Sequence, residues 1–482
     1  MNERDNLTNS GILPETLQIN AWTATTPSLS TKLESSRAKR WALRGRIEDR
    51  RHLAPPPPAD FREWWDPRVG WGVILPEVAG VDRNAPEDGK TGVPEPIQRL
   101  IATRSERLKG PVPIFRYQPG SRERSVLLRN RAAQPDASIG GSGFGIGRGQ
   151  IPYYLLIVGS PSEIPWDFQY LLNAMYGVGR LDLPAAGLAR YVDALLSNWK
   201  FAEGESDVRR SLIWSVDYGG NDISTLMFNA IAKPVYEKLA SDKDYATGAE
   251  LVTAAEATHA ALIDRLATHR PRFILTTSHG NTGPLDATPN SLKQNVGLLV
   301  DQTQRVLKID ELLAAWSPGG AIWYAHACCS AGTDSTSIFE ELVPDGPVKT
   351  VLKQVSAEGA AIAPLPTALL SAKRPLRAFV GHVEPTFDWT VRQRETGQHI
   401  TSRLQEALYD ELYRGLPVAY ALRKWFAGVG RFYSMHDTAS RDYAAGQDTE
   451  GIILACLLGA RDTGSTVILG DPTVALFDST LT

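Results

Sequence analysis

Hydrophobic residues in the last two thirds of the chain fall into short runs separated by amphipathic stretches. Six runs of five or six residues predict buried strands, at 153–158, 212–216, 273–277, 322–327, 360–364 and 377–382. The amphipathic stretches predict helices, at 188–199, 223–239, 254–267, 306–316 and 401–426. Strands that alternate with helices are typical of a parallel sheet covered on both faces. We therefore expect an α/β fold, a three-layer sandwich around a mostly parallel central sheet, preceded by an N-terminal extension.

The N-terminal third lacks this alternation. Residues 1–60 are polar and end in four consecutive prolines at 55–58, which predicts a weakly ordered segment with a stiff spacer. Residues 61–149 contain a tryptophan cluster and close on a glycine-rich stretch, which predicts a small region followed by a flexible linker. The main domain is then expected over 150–482.

Two of the predicted strands end at reactive side chains. The run at 273–277 is followed by Ser278, His279 and Gly280, and the run at 322–327 is followed by Cys328 and Cys329. Ligands of open parallel sheets bind beyond the carboxyl ends of the strands. A histidine and a cysteine at that edge predict a thiol–imidazole dyad.

The chemistry of such a dyad assigns a role to each residue. A thiolate is the nucleophile, and an adjacent imidazole stabilises it and later protonates the leaving group. The oxyanion of a tetrahedral intermediate also needs hydrogen-bond donors. The backbone amides of Gly280 and Cys329 are the candidates, because Gly280 follows His279 directly and has no Cβ.

Cys329 is the preferred nucleophile of the adjacent pair. Side chains alternate between faces along a strand, so Cys328 shares a face with His326 while Cys329 lies at the strand exit. Cys328 is then interpreted as a small buried residue. Two alternatives remain: His279 and both cysteines are structural, or His279, His326, Cys328 and Cys329 ligate zinc. The zinc alternative lacks a Cys-x-x-Cys pair.

Composition and charge bear on the binding partners and the cellular compartment of the chain. The formal net charge of −3 and the pI near 6.3 give no indication of nucleic-acid or membrane binding. No apolar segment follows the polar N-terminus, so we expect no secretory signal. Three cysteines, two of them adjacent, do not make a disulfide framework, which favours a reducing cytoplasm. No cofactor and no metal are expected.

These residues resemble the caspase–gingipain superfamily of cysteine peptidases, especially its bacterial gingipain-like and CHAT-type branches. His279–Gly280 and the segment around Cys329 are the dyad motifs, and their separation of 50 residues is typical of caspases. The segments 154–159, 176–181, 379–383 and 469–473 resemble further parts of a gingipain-like domain. The resemblance implies a caspase-like sandwich and cofactor-free endopeptidase activity, and some relatives use calcium. It also implies a controlled effector, as in antiphage defence or gasdermin activation.

The substrate pocket departs from this resemblance. Gingipains that cut after basic residues carry an aspartate three positions before a Tyr-Gly pair, and the matching residue here is Asn173. Basic specificity therefore does not transfer. Glu163, Asp217 and Glu384 follow predicted strands and are candidate pocket acids, with solvated loop carboxylates as the alternative. Asp217 is also a candidate to orient His279.

Three functions fit the sequence. The preferred one is an intracellular cysteine endopeptidase that acts on protein substrates. The others are a catalytically silent caspase-like interaction module and a thiol acyltransferase that uses the same dyad. The N-terminal extension is interpreted as a regulatory module, a docking surface for a protein partner or a cleavable pro-segment; the alternative is a strap that only completes the fold.

Overall fold

A computed structural model provides the three-dimensional structure of the chain. It describes residues 16–24, 29–34, 36–37, 59–82, 85–117, 119, 127–130, 136–286, 291–393 and 397–477. The proline spacer predicted at 55–58 and most of the segment predicted to be weakly ordered lie outside these ranges.

The described ranges contain short strands throughout the chain. They are β1 (Thr16–Ile19), β2 (Ala21–Trp22), β3 (Leu29–Lys32), β4 (Trp71–Leu75), β5 (Ile114–Arg116), β6 (Leu127–Asn130), β7 (Ala137–Ser138), β8 (Tyr154–Val158), β9 (Gly177–Leu181), β10 (Asp207–Ser215), β11 (Ala249–Thr253), β12 (Pro271–Thr277), β13 (Gly280–Asn281), β14 (Ile322–His326), β15 (Gly332–Thr333), β16 (Ala361–Ile362), β17 (Ala378–His382) and β18 (Thr466–Gly470).

Helices connect most of these strands. They are α1 (Glu95–Leu108), α2 (Trp166–Asn173), α3 (Ala185–Leu196), α4 (Ile223–Met227), α5 (Lys233–Ser241), α6 (His259–His269), α7 (Ile309–Ala315), α8 (Pro347–Ala357), α9 (Pro364–Leu370), α10 (Ser402–Gln405), α11 (Val418–Ala421), α12 (Arg423–Ala444) and α13 (Glu450–Gly464). A π-helical turn, Phe228–Ala232, joins α4 to α5, and another, Glu406–Glu411, follows α10. No helix in the described ranges combines the length and the hydrophobicity needed to cross a bilayer.

A large, mostly parallel sheet forms the centre of this α/β fold. Its strand order is β11-β10-β12-β14-β17-β18-β9-β8-β4-β5-β6-β7. The first five strands are mutually parallel, and so are the next five. The two blocks run in opposite directions, because β17 and β18 pair antiparallel. The carboxyl ends of β12, β14 and β17 therefore lie at one edge of the sheet, and those of β8 and β9 lie at the other.

The predicted division near residue 150 does not separate two sheets. Strand β4 pairs with β8 and β5 pairs with β4, so the region 61–149 contributes strands to the same sheet as the main domain. The N-terminal segment also contributes ordered structure, since β1 pairs with β3 and β2 pairs with β13. Apart from β1 and β3, these pairing partners lie far apart in the sequence, so short-range patterns carry no information about them.

Two predicted elements differ from the structure for local reasons. The strand predicted at 360–364 is reduced to β16, which pairs with β15 outside the central sheet, because prolines at 364 and 366 begin a helix. The helix predicted at 401–426 is interrupted by Gly415, which has a φ of 72°, and by Pro417. A left-handed glycine and a following proline are common at helix ends.

A hydrophobic cluster separate from the main core packs over the carboxyl ends of β12, β14 and β17. This edge cluster joins buried residues of the N-terminal strands, of the loops after the two dyad strands and of helices α8 and α13; it includes Ile19, Ala21, Cys328, Cys329, Phe387, Val351 and Leu454. The edge that carries the dyad motifs is thus covered by packed side chains.

Asp471, which follows β18, ties the N-terminal region to the sheet. Its carboxylate accepts hydrogen bonds from Arg104 Nη2 and from Trp71 Nε1, both at 3.1 Å. Arg104 is 5% exposed and Asp471 is fully buried. Removing one partner of a buried ion pair leaves an uncompensated charge, which is strongly destabilising.

We therefore expect Asp471→Ala to lower the free energy of unfolding by about 3–5 kcal/mol, as measured by denaturant unfolding. Asp193→Ala is the matched control, because it breaks an exposed ion pair with Arg99; it should cost about 1 kcal/mol or less. Equal losses in the two variants would contradict the proposed tie.

Candidate active site

The adjacent parallel strands β12 and β14 bring the two dyad motifs together. Their register pairs Thr277 with His326, and the Ser278 amide donates to the His326 carbonyl at 3.3 Å. Two residues further along each strand, this register sets His279 level with Cys328. The histidine and the cysteine pair thus leave the sheet side by side, as the sequence predicts.

The backbone of Gly280 packs directly against the backbone of Cys328. A Cβ at Gly280 would lie 1.9 Å from the Cys328 carbonyl oxygen, so only glycine permits the two backbones to approach this closely. The missing side chain therefore faces the cysteine strand rather than an open substrate site. The Gly280 backbone also lies in the pairing of β13 with β2, opposite Ala21.

Cys329 sits at a sharp reversal of the chain. Its φ is 55°, in the left-handed region that non-glycine residues seldom occupy. Beyond it the backbone turns back along β17, and the Ala331 amide donates to the His382 carbonyl at 2.8 Å. The Cys329 amide donates to the Glu384 carbonyl at 3.2 Å. This amide, a predicted oxyanion donor, is therefore already engaged, and its use would require that bond to open.

Both thiols are shielded from solvent. Cys328 and Cys329 have no exposed surface. Burial raises the pKa of each thiol, and the nearby Cys328 and Glu384 raise the pKa of Cys329 further. The Cys328 sulfur also accepts a hydrogen bond from the Thr386 amide at 3.2 Å. In this state both residues are neutral thiols rather than thiolates.

His279 is held by Asp222, a residue that the sequence analysis missed. Its Nε2 lies 3.1 Å from Asp222 Oδ1, and the ring stacks on Tyr218 with centroids 5.6 Å apart. An ionised Asp222 accepts a hydrogen bond from Nε2–H, so Nδ1 is the nitrogen that carries the free lone pair in a neutral ring. In the described part of the chain Nδ1 has no hydrogen-bond partner. The imidazole is therefore oriented with one nitrogen available for proton transfer.

Asp222 owes its position to the start of α4. As the N-cap residue it accepts a hydrogen bond from the Ser224 amide at 2.8 Å. Burial opposes its ionisation, but the hydrogen bonds and charge of His279 and the bonds from Ser224 outweigh burial, so the pKa of Asp222 is below its usual value. An acid directly before a predicted helix at 223 is the one signal that could have singled it out.

Asp217 does not orient His279. Its carboxylate accepts hydrogen bonds from the Gly219 amide at 2.9 Å and from the Thr225 hydroxyl. These bonds fix the loop between β10 and α4. The role considered for Asp217 therefore belongs, by position, to Asp222.

Among the candidate pocket residues, Glu384 has a backbone hydrogen bond with Cys329. Besides the contact of its carbonyl with Cys329, its carboxyl group accepts a hydrogen bond from Ser337 Oγ at 2.8 Å. Burial raises the pKa of Glu384 to about 8, Ser337 lowers it in part, and Asp334 raises it again. Glu384 is thus a largely protonated acid beside Cys329 near neutral pH.

The other two candidate pocket residues lie near opposite edges of the sheet. Asn173 is buried at the end of α2, and its Nδ2 lies 3.5 Å from the carbonyl of Thr466, which pairs with His382 at the dyad edge. Glu163 follows β8 and accepts hydrogen bonds from the amide and hydroxyl of Ser160. Because β8 runs opposite to β14, Glu163 belongs to a turn at the other edge of the sheet.

His326 and His382 form a buried pair behind the site. His382 Nε2 and His326 Nδ1 are 3.3 Å apart, and the Tyr324 hydroxyl lies 2.8 Å from the same Nδ1. Burial lowers the pKa of both rings, so they are neutral core imidazoles. Within the described residues, no three His, Cys, Asp or Glu side chains are grouped as metal ligands, and the zinc alternative has no geometric support.

Comparison with known proteins finds neither a family model nor a curated protein that matches this chain.

We expect Asp222→Asn to lower stability at pH 7 by about 1.5–3 kcal/mol, because a hydrogen bond to a charged group is lost while asparagine still caps α4. Since the folded-state pKa of Asp222 is depressed, its contribution is present above the unfolded value near 4 and is lost as pH falls through the folded value. Denaturant unfolding at pH 7 and pH 3 should show the difference from wild type shrinking in acid. Asp217→Asn is the control; a pH-independent deficit in Asp222→Asn would contradict the ionic contact.

The pH dependence of stability should have the opposite sign at Glu384, because burial raises the pKa of this carboxyl, whereas the pKa of Asp222 is lowered. The test is Glu384→Gln. The folded chain keeps a proton on Glu384 up to about pH 8, whereas the unfolded chain releases it near pH 4, so wild-type stability falls as pH rises across this window. Glutamine removes this titration, and the fall between pH 5 and pH 8 should be smaller in the variant. Glu341→Gln, at an exposed position, should retain the wild-type slope. An unchanged slope in Glu384→Gln would show that its carboxyl is not buried as described.

Proposed function

We propose that this chain is a cysteine endopeptidase of the caspase–gingipain type, with Cys329 as nucleophile and His279 as general acid–base. The observation that carries the proposal is the juxtaposition at the ends of β12 and β14. There the backbone of Gly280 contacts Cys328, and Asp222 holds the imidazole of His279. A thiol, an imidazole and an orienting carboxylate are the parts that nucleophilic acyl transfer requires.

The sheet supports the same proposal. A central, mostly parallel sheet with helices agrees with the caspase-like sandwich that the sequence resemblance implies. The dyad lies where ligands of such sheets bind, beyond the carboxyl ends of the strands. No cofactor is part of the proposal, and calcium is treated as a condition to be tested.

The proposed reaction passes through one acyl-enzyme, and His279 transfers two protons, one in its formation and one in its hydrolysis. His279 Nδ1 takes the proton of the Cys329 thiol, and the sulfur attacks the scissile carbonyl carbon. The imidazolium then gives this proton to the departing amine as the peptide C–N bond breaks. Water, deprotonated by His279, releases the acyl group and restores the thiol. The amides of Gly280 and, once freed from the Glu384 carbonyl, of Cys329 are the proposed oxyanion donors.

The resting chain would be a dormant form of this enzyme. Both thiols and His279 are fully buried, and burial opposes thiolate formation. Activity therefore requires an opening that admits substrate and solvent. A controlled effector, the role implied by the resemblance, fits a site that is closed at rest.

The burial also favours a second candidate function. A caspase-like interaction module without activity would keep the dyad as part of a packed core, and the complete burial of His279, Cys328 and Cys329 agrees with that alternative. His279 Nδ1, which has no hydrogen-bond partner among the described residues, counts against it, because buried polar atoms in purely structural sites are usually hydrogen-bonded.

Activity measurements separate the two candidates. Wild-type protein, untreated, nicked by a trace of protease or supplied with calcium, is incubated with a peptide library, beside Cys329→Ala, Cys328→Ala and His279→Ala. We expect cleavage by wild type and Cys328→Ala, and a loss of at least about 100-fold in the other two. Cleavage lost only in Cys328→Ala would move the nucleophile to the position that the strand register sets level with His279. No cleavage under any condition would favour the silent module.

A further inference from the structure

Residues 16–24, called the N-terminal strap below, lie across the ends of both dyad strands. On one side, β2 pairs in parallel with β13, so that Ala21 faces Gly280 and Trp22 faces Asn281. The Thr282 amide adds a hydrogen bond to the Trp22 carbonyl at 2.8 Å. The strap is thus joined to the backbone that directly follows His279.

On its other side the strap is joined to the segment that follows Glu384. The Asn20 amide donates to the Thr386 carbonyl at 3.0 Å, and Ile19 forms an antiparallel bridge with Phe387. Thr386 in turn donates its amide to the Cys328 sulfur. The strap therefore occupies a lane, one strand wide, between β13 and residues 386–387.

The strap also closes the edge cluster. Leu17, Ile19 and Ala21 alternate along it, are fully buried and pack in the same cluster as Cys328 and Cys329. No charged residue occurs between 16 and 24. The lane therefore accepts an extended, uncharged segment that presents an apolar side chain at every second position.

The side chain of Asn20 is only partly hydrogen-bonded in this lane. Its Nδ2 donates to the Ser278 carbonyl at 3.0 Å, but its buried Oδ1 has no hydrogen-bond partner among the described residues. A buried acceptor without a partner opposes the closed state, because water would satisfy that acceptor once the strap opens. The strap is held by main-chain pairing and apolar packing, both of which another extended peptide can supply.

We infer that the N-terminal strap is an internal pseudo-ligand that fills the main-chain binding lane of the site, and that an extended peptide with alternating apolar side chains enters once the strap leaves. The identity of that peptide as substrate rests on the proposed endopeptidase function. The inference that the strap covers the thiols does not rest on that function, because it concerns only the access of solvent and reagents to the two cysteines.

Thiol alkylation in the full-length chain tests the closure. Iodoacetamide labelling with peptide mapping gives the rate at the Cys328–Cys329 peptide and at Cys456, a buried cysteine of α13 that reports global unfolding. Ala21→Glu places a charge at a fully buried position of the strap, and Trp22→Ala removes packing without adding charge. Ala24→Glu is the matched control, the same substitution at an exposed position of the strap.

The ratio of interest is the alkylation rate at the Cys328–Cys329 peptide divided by the rate at Cys456. We expect it to rise at least about tenfold in Ala21→Glu or Trp22→Ala, because the labelling rate follows the population of the locally open state. It should stay at the wild-type value in Ala24→Glu. A ratio that stays at the wild-type value in both strap variants would overturn the inference, whether both rates rise together or neither rises.

A peptide added in trans tests the lane. A synthetic peptide of residues 16–24 should slow alkylation of the opened variant, whereas the same peptide with aspartate at the positions of Ile19 and Ala21 should not. No protection by the first peptide, or equal protection by both, would overturn the inference that the lane binds an extended peptide with alternating apolar side chains. Opened variants that label rapidly but cleave no peptide would keep the strap inference and contradict the endopeptidase proposal.

Discussion

The candidate site depends on the close approach of two backbones at the ends of β12 and β14. Parallel pairing holds the strands in register up to Thr277 and His326, and glycine at 280 lets the next residues stay in contact with Cys328. This contact sets the histidine beside the cysteines and also begins β13, on which the N-terminal strap pairs. A side chain at position 280 would separate all three parts, so the dyad and its cover share one steric requirement.

Desolvation is the second constraint on the site. The edge cluster excludes water from the thiols, and the same exclusion raises the pKa of Glu384 and lowers the pKa of His326 and His382. Near neutral pH, burial therefore keeps a proton on Glu384 beside Cys329 and disfavours protonation of both histidines. Admitting water would reverse these preferences together, which couples the ionisation of the site to the opening of its cover.

Local sequence patterns predicted the elements whose formation is itself local. The buried runs that became β8, β12, β14 and β17 were recognised because periodicity and flanking glycines act within a few residues. The delivery of His279 and the cysteines to one edge followed from the general rule for parallel sheets. The interrupted helix after residue 401 was predicted too long because hydrophobic periodicity outweighed the glycine and proline at 415 and 417.

Features that depend on distant pairing could not be predicted in this way. The position of β4 beside β8, the pairing of β2 with β13 and the contact of Asp222 with His279 join segments that are 57 or more residues apart. Their energies come from packing and hydrogen bonds that exist only after folding. Asp222 illustrates the difference: its role as an N-cap is visible in the sequence, but its partner across the loop is not.

The backbone of Cys329 carries a consequence of its own. A left-handed conformation costs a non-glycine residue about 1–2 kcal/mol, so glycine at 329 would ease folding at the reversal after β14, where φ is 55°. The chain instead places there a side chain that strains the turn and whose sulfur is buried. At position 329 conformational stability thus opposes the proposed role of the sulfur as nucleophile, and the chain has cysteine there rather than glycine.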